Sequence, residues 1–246
     1  MNRFLLLIIC ILSFNTLQAK EIDSFEEAKK LLPEVFKGQE MTFYCGCKYA
    51  KLGKRFVVDP LCKTYTPRKP YTKNGKKNER THRVEWEHIV PAENFGRQFA
   101  CWREGDERCV DSKGKKFKGR QCCKKVSPEF RLMEGDIRNL VPAIGEINGD
   151  RSNFRFAQQG KDESLRGQYG ECEFKISGKK AYPRDEIKGW IARTYLYMHD
   201  KHNIKMSDSE LKLMEAWDKQ YPAKEDELKW LEKVEKVKKK YKGAKK

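Results

Sequence analysis

Apolar positions recur at helical spacing in several places along the chain. Phe25, Ala28, Leu31, Leu32, Val35 and Phe36 form one such stripe behind a capping box at Ser24–Glu27, with Pro33 expected to kink or end the helix. The longest stripe, Ile187, Trp190, Ile191, Tyr195 and Met198, predicts a helix over 184–203, and Ser207 to Glu210 caps another running through Trp217. A third start is Ser127-Pro128-Glu129, and Leu228, Leu231 and Val234 share a face near the end. Shorter runs suit strands at 41–44, 55–58 and 82–88. In "NLVPAIGEING", Pro142 suits a first helical position, Ile144 and Ile147 share a face, and Gly149 can supply a left-handed stop, so a short helix is expected to end near Asn148.

Between these elements lie two basic stretches expected as loops, 63–80 and 111–125, and no internal repeat occurs. The pattern predicts an α+β fold with mostly helical surroundings. At the N-terminus, residues 1–19 combine Arg3, an apolar run from Phe4 to Leu12 and the small Ala19, the plan of a cleaved secretory leader. The expected organisation is a leader over 1–19, one domain over 20–222, and a lysine-rich tail over 223–246 that is solvated and frayed. No later segment is apolar enough to anchor the chain, so the mature protein is expected to be a monomer without a membrane anchor, periplasmic or secreted.

Composition adds a preference for polyanions. The 246-residue chain carries a formal net charge of +17, which attracts nucleic acid, anionic lipid or acidic polysaccharide without choosing among them. Eight cysteines follow the leader, an even number that reads as a disulfide framework in an exported chain, its pairing left open among 105 connectivities. The spacings of Cys45-Gly46-Cys47 and Cys122-Cys123 are poor for tetrahedral zinc, and no His-Glu-x-x-His pattern supports a zinc hydrolase.

Against this basic background "RVEWEHIVPAENF", residues 83–95, places Glu85, Glu87 and His88 close together. Neighbouring strand residues point to opposite faces, so Glu87 and His88 cannot face the same side. Phosphodiester hydrolysis can use that division, because the attacking water and the leaving oxygen lie on opposite sides of phosphorus. A neutral imidazole suits the base, and a carboxylate suits Mg²⁺, which takes oxygen ligands and keeps several waters. A second oxygen ligand is still required.

"VEWEHIVPA" at 84–92, "CW" at 101–102, "FRLMEGDIRNLVPAIGEINGDRSNF" at 130–154 and "IARTYLYM" at 191–198 resemble the bacterial endonuclease I family, from about Glu26 to Pro222. The resemblance implies a ββα-metal catalytic core and a largely sequence-independent nuclease acting on double- and single-stranded DNA, with RNA as a further substrate. It also implies a divalent cation, Mg²⁺ with Mn²⁺ or Ca²⁺ as substitutes. Carried onto this chain, it makes His88 the base, Glu87 the first metal ligand, and Asn148 the second, with Asn139 the rival. The family's phosphate-contacting arginine falls between the cysteine of the CW motif and the next cysteine, which leaves Arg103 and Arg108; Arg108 is the choice. Glu85 is expected to support the site without ligating, and Trp86 to belong to the core. The alternative reading is a noncatalytic cationic module that binds polyanions.

Overall fold

Each strand of the central pair has its own reason to be where it is. The computed structural model describes residues 21–161 and 163–243, so the leader expected at 1–19 and the last three tail residues lie outside them. The first helix, α1 (Phe25–Val35), is capped by Ser24, whose Oγ accepts the Glu27 N–H at 3.2 Å; it buries Ala28, Leu32 and Val35 and continues past Pro33. A hairpin follows, β1 (Tyr49–Leu52) and β2 (Arg55–Val58), paired antiparallel. The expected strand at 41–44 is reduced to a single bridge at Met41, because the chain turns at residues 43–45.

Strand β3 (Val84–His88) pairs antiparallel with β4 (Leu140–Ile144), setting Glu87 opposite Val141 and His88 opposite Leu140. The sequence reading gave Pro142 to a helix start, and the structure corrects it to the middle of β4. Its carbonyl points away from β3 and accepts the Phe43 N–H at 2.8 Å. The missing proline N–H therefore lies on the side away from the β3 ladder, which is the circumstance in which a strand tolerates proline. All five β4 residues are buried, as expected of a strand covered on both faces.

The helix then starts at Gly145 as α6 (Gly145–Arg151) and stops at Ser152, where φ is 51°. Gly149 is not the left-handed stop. It lies within the helix, where an added Cβ would come within 2.3 Å of an Arg80 guanidinium nitrogen, so a larger residue would have to displace that side chain. Strands β3 and β4 and helix α6 form the ββα unit.

Four short helices fill the excursion between β3 and β4: α2 (Ala92–Gly96), α3 (Ala100–Arg103), α4 (Arg120–Val126) and α5 (Pro128–Glu134). Here α4 replaces the end of the loop expected over 111–125. Disulfides Cys101–Cys123 and Cys109–Cys122 staple α4 to the segment before it, while Cys45–Cys172 and Cys47–Cys62 tie down the approach to the hairpin. A small sheet of β5 (Arg155–Phe156), β6 (Phe174–Ser177) and β7 (Lys180–Pro183), in the order β5-β7-β6, precedes α7 (Asp185–His202) and α8 (Asp208–Gln220).

The segment expected as a solvated tail is largely a helix, α9 (Glu225–Gly243), with Trp230, Val234 and Val237 buried. Trp230 packs on Trp190 at 4.6 Å between ring centroids, and Lys240 pairs with Glu34 of α1 at 3.0 Å. Lysine-rich sequence hides this packing because the apolar stripe is narrow: long lysine stems flank it while their heads stay in water.

Candidate active site

The side chains of Glu87, His88 and Asn148 line one open cleft of about 430 Å³ beside the ββα unit. Helix α1 contributes Phe25 and Lys29 to its wall, β3 and the residue before it contribute Arg83, Glu85 and Trp86, and the N-terminus of α4 contributes Arg120. Its charged lining sets Lys29, Arg83 and Arg120 beside the carboxylates of Glu85 and Glu87.

His88 is buried, with its ring 4.7 Å from Phe25 and its Nε2 2.9 Å from the Glu134 carbonyl oxygen. A carbonyl only accepts, so Nε2 carries the hydrogen and Nδ1 keeps its lone pair. Among the described residues Nδ1 has no hydrogen-bond partner. Burial, reinforced by the positive charge of Arg120, pushes the imidazole pKa down to about 3 and keeps it neutral.

Glu87 lies on the other face of β3, buried, and both of its partners hold the same oxygen. Tyr44 Oη donates to Oε1 at 3.2 Å and Arg151 Nη1 donates to it at 2.8 Å. Oε2 has no partner among the described residues, although the residue as a whole is only 5% exposed. Burial pushes the Glu87 pKa up to about 7 against the pull of Arg151 and the Tyr44 hydrogen bond. A carboxylate so placed is short of positive charge on its open side.

Asn148, midway along α6, donates its Nδ2 to Glu85 Oε2 at 2.8 Å. A carboxylate is an acceptor, so this bond identifies the nitrogen side of the amide and leaves Oδ1 without a protein partner among the described residues. Glu85 is itself held by Arg80, whose Nε and Nη2 donate at 3.0 and 2.6 Å, and by Arg83 through an ion pair. Burial works against the ionised form, but these two guanidinium groups hold the Glu85 carboxyl below the usual range. The network bears on the amide's orientation, as partners behind metal ligands commonly do.

Two hard oxygen atoms, Glu87 Oε2 and Asn148 Oδ1, thus have no protein partner among the described residues and belong to side chains that line one cleft. Among the described residues no three His, Cys, Asp or Glu side chains are grouped to hold a metal. One carboxylate and one amide oxygen suit Mg²⁺, which uses one or two protein ligands and keeps waters. Asn139, the rival, is fully buried and spends its amide on the backbone of Val90: Nδ2 donates to the carbonyl at 3.0 Å and Oδ1 accepts the N–H at 2.7 Å.

The expected arginine is not brought here. Arg108 lies on the surface and is not among the cleft's lining residues, its guanidinium holding Asp106 at 2.8 and 2.9 Å. Arg103 donates to the Arg97 carbonyl at 2.8 Å. Arg120 stands in the cleft instead, over the Phe25 ring at 5.5 Å and paired through Nε with Glu134 at 2.5 Å. Sequence reasoning missed it because Arg120 follows both candidate positions, on a helix that two disulfides hold against the segment before it. The available signal was an arginine two residues before the Cys122-Cys123 pair.

The family model described as Endonuclease I matches residues 25–241. An extracellular deoxyribonuclease of Aeromonas hydrophila is 42% identical, covering 83% of this chain and 80% of that protein. A periplasmic deoxyribonuclease of the same organism is 40% identical over 87% of this chain and 82% of its own length. An endonuclease-1 of Buchnera aphidicola subsp. Acyrthosiphon pisum is 38% identical over 82% of this chain and 72% of its own.

Proposed function

The chain belongs to the endonuclease I family, and from that premise we propose that it is an exported, periplasmic or secreted endonuclease that hydrolyses phosphodiester bonds of DNA with a divalent cation. One observation carries this reading: Glu87 Oε2, Asn148 Oδ1 and His88 Nδ1 all lack protein partners among the described residues and belong to side chains lining a single cleft. Glu87 and Asn148 hold the cation. Bound there, Mg²⁺ supplies a Lewis acid for the phosphate and the departing oxygen.

The chain's own groups do the rest. His88 Nδ1 takes a proton from the attacking water as the new O–P bond forms and the opposite P–O bond breaks, and the Glu134 carbonyl holds the ring in the required tautomer. Arg120 and Lys29 hold the non-bridging phosphate oxygens, and the Arg120 assignment takes the place of Arg108. Arg151 and Tyr44 occupy Glu87 Oε1, so its other oxygen is the one offered. Contacts to phosphate alone read no bases, in keeping with a largely sequence-independent activity.

The test is nicking of supercoiled plasmid by the purified protein with Mg²⁺, with EDTA, and after His88→Ala. Cleavage with Mg²⁺ only, lost in His88→Ala while DNA and Mn²⁺ binding persist, is expected. Retardation of intact plasmid in every lane sinks the enzyme reading. Glu87→Ala and Asn148→Ala each weaken Mn²⁺ binding measured by calorimetry, and parental affinity in either removes that ligand.

A further inference from the structure

Residues 48–78 contain ten basic side chains and one acid, Asp59, so a 31-residue stretch supplies about half of the chain's net charge of +17. Three of the ten are paired, Arg55 with Glu79 and Arg68 and Lys69 with Asp150. The other seven have no carboxylate partner among the described residues. The same stretch holds Leu52, Leu61 and Tyr71, at 70%, 81% and 61% exposure the most exposed of the large apolar side chains among the described residues. Single exposed leucines are ordinary; apolar side chains set at turn tips between unpaired lysines are a more specific arrangement.

Two prongs result. The first is the β1–β2 hairpin, in which Leu52 faces Arg55 across a two-residue turn, Gly53-Lys54. Gly53 has φ of +60° and Lys54 is not among the residues with positive φ, the type II′ pattern that matches strand twist. Its base is closed by the Cys47–Cys62 disulfide. Val57 bridges Arg83, and the Phe56 ring lies 5.8 Å from Trp86 of the cleft. At about 3.3 Å per residue the tip lies on the order of 10 Å along the hairpin from Phe56, or about three base pairs of duplex.

The second prong is the turn in which Tyr71 bridges Lys77, with Lys73 and Lys76 around it. It is fastened to the helix that bears Asn148. Buried Glu146 accepts the Tyr65 hydroxyl at 2.7 Å and the Arg68 N–H at 3.1 Å on one oxygen, and the Lys69 N–H at 2.6 Å on the other. One prong is thus fixed to the strand that carries His88 and the other to the helix that carries Asn148.

We propose that residues 48–78 form a two-pronged arm that grips duplex DNA beyond the scissile phosphate. Lys51, Lys54, Lys73, Lys76 and Lys77 take phosphates, and Leu52 and Tyr71 rest against sugars and base edges. The inference rests on the nuclease reading for its substrate. Duplex is the form favoured because single strands are held by rows of exposed aromatic rings, and Tyr71 is the one aromatic among the strongly exposed apolar residues described. A rigid apolar tip between cations fits a duplex flank.

The experiment compares the parent, Lys51→Ser/Lys54→Ser, Lys73→Ser/Lys76→Ser/Lys77→Ser and Leu52→Ser on three substrates. These are a 30-base-pair duplex, a 6-base-pair duplex and a 30-nucleotide single strand. Equilibrium binding in EDTA is followed against salt, and KM and kcat are measured with Mg²⁺. On the long duplex the Lys51/Lys54 variant is expected to lose about 1.8 from the slope of log affinity against log salt, at about 0.9 for each phosphate contact. The triple variant loses about 2.7, and Leu52→Ser raises KM about threefold with its slope unchanged. In each, kcat stays within about twofold, and the short duplex is bound as by the parent.

Parental slopes and KM on the long duplex overturn the arm, as do equal losses on the short and long duplexes. Equal losses on duplex and single strand overturn the duplex assignment. A parent that binds with the expected slope but never cuts refutes the nuclease reading and leaves the arm standing, so the two failures are distinguishable.

Discussion

Arg151 is fully buried and makes three hydrogen bonds that converge on the site: Glu87 Oε1 at 2.8 Å, the His88 carbonyl at 2.8 Å and the Ile89 carbonyl at 2.6 Å. Replacing it by methionine keeps an unbranched apolar stem and removes the charge and all three donors. Glu87 is then left buried with only Tyr44, and breaking a buried ion pair from one side costs about 3–5 kcal/mol. Each of the two bared carbonyls adds about 1–3 kcal/mol where water cannot reach it, so a loss of at least about 5 kcal/mol is expected for Arg151→Met. For a protein of this size that is a fall of about 10–20 °C in Tm.

The assay is urea unfolding in EDTA at pH 8 with disulfides intact, run as a double-mutant cycle with Glu87→Gln. Removing the stranded carboxylate should return about 1–3 kcal/mol, so the double variant is more stable than Arg151→Met alone. A loss under about 1 kcal/mol, or strict additivity of the two substitutions, refutes the assignment of Arg151 as the counter-charge that makes a buried Glu87 tolerable.

Three further outcomes follow from the same geometry. Arg120→Ala should lower kcat on the order of 100-fold, the usual cost of one donor at a developing anion, with Arg108→Ala within about twofold; the reverse ranking in steady-state plasmid kinetics restores Arg108. Asp136 is bonded to His202 at 2.8 Å, Tyr197 at 2.7 Å and Lys238 at 3.3 Å; burial opposes ionisation, but these partners and the Arg138 N–H hold its pKa well below the usual range. A depressed carboxyl pKa stabilises the fold above the unfolded value near 3.9 and loses that effect as pH falls. Asp136→Asn should therefore melt below the parent at pH 7 with the gap narrowing by pH 3, and an equal gap at both pH values rejects the linkage. Trp230→Ala should cost about 3–5 kcal/mol in chemical denaturation because α9 is packed structure, and a parental midpoint would return this segment to the role of a solvated appendage.

The sequence by itself determined the amphipathic helices, the alternation that sends Glu87 and His88 to opposite faces of β3, and the excess of positive charge. These are local properties: a capping serine, a helical stripe and a two-residue strand period act between near neighbours. The family motifs added the pairing of "EWEH" with "GEINGDR". What only the tertiary structure decided involves partners far apart in the chain. Pro142 is a strand residue because β3 lies on its other side, and Gly149 sits inside α6 against the Arg80 guanidinium, a neighbour 69 positions back in the chain. Arg120 enters the cleft, and Arg108 does not, because two disulfides hold α4 against the segment before it. The lysine-rich C-terminus becomes helix α9 because α1 and Trp190 offer its narrow apolar stripe a surface to cover. The physical reason is the same in each: a residue's intrinsic preference is weak, and the neighbour supplied by the fold decides which of its allowed conformations and partners it takes.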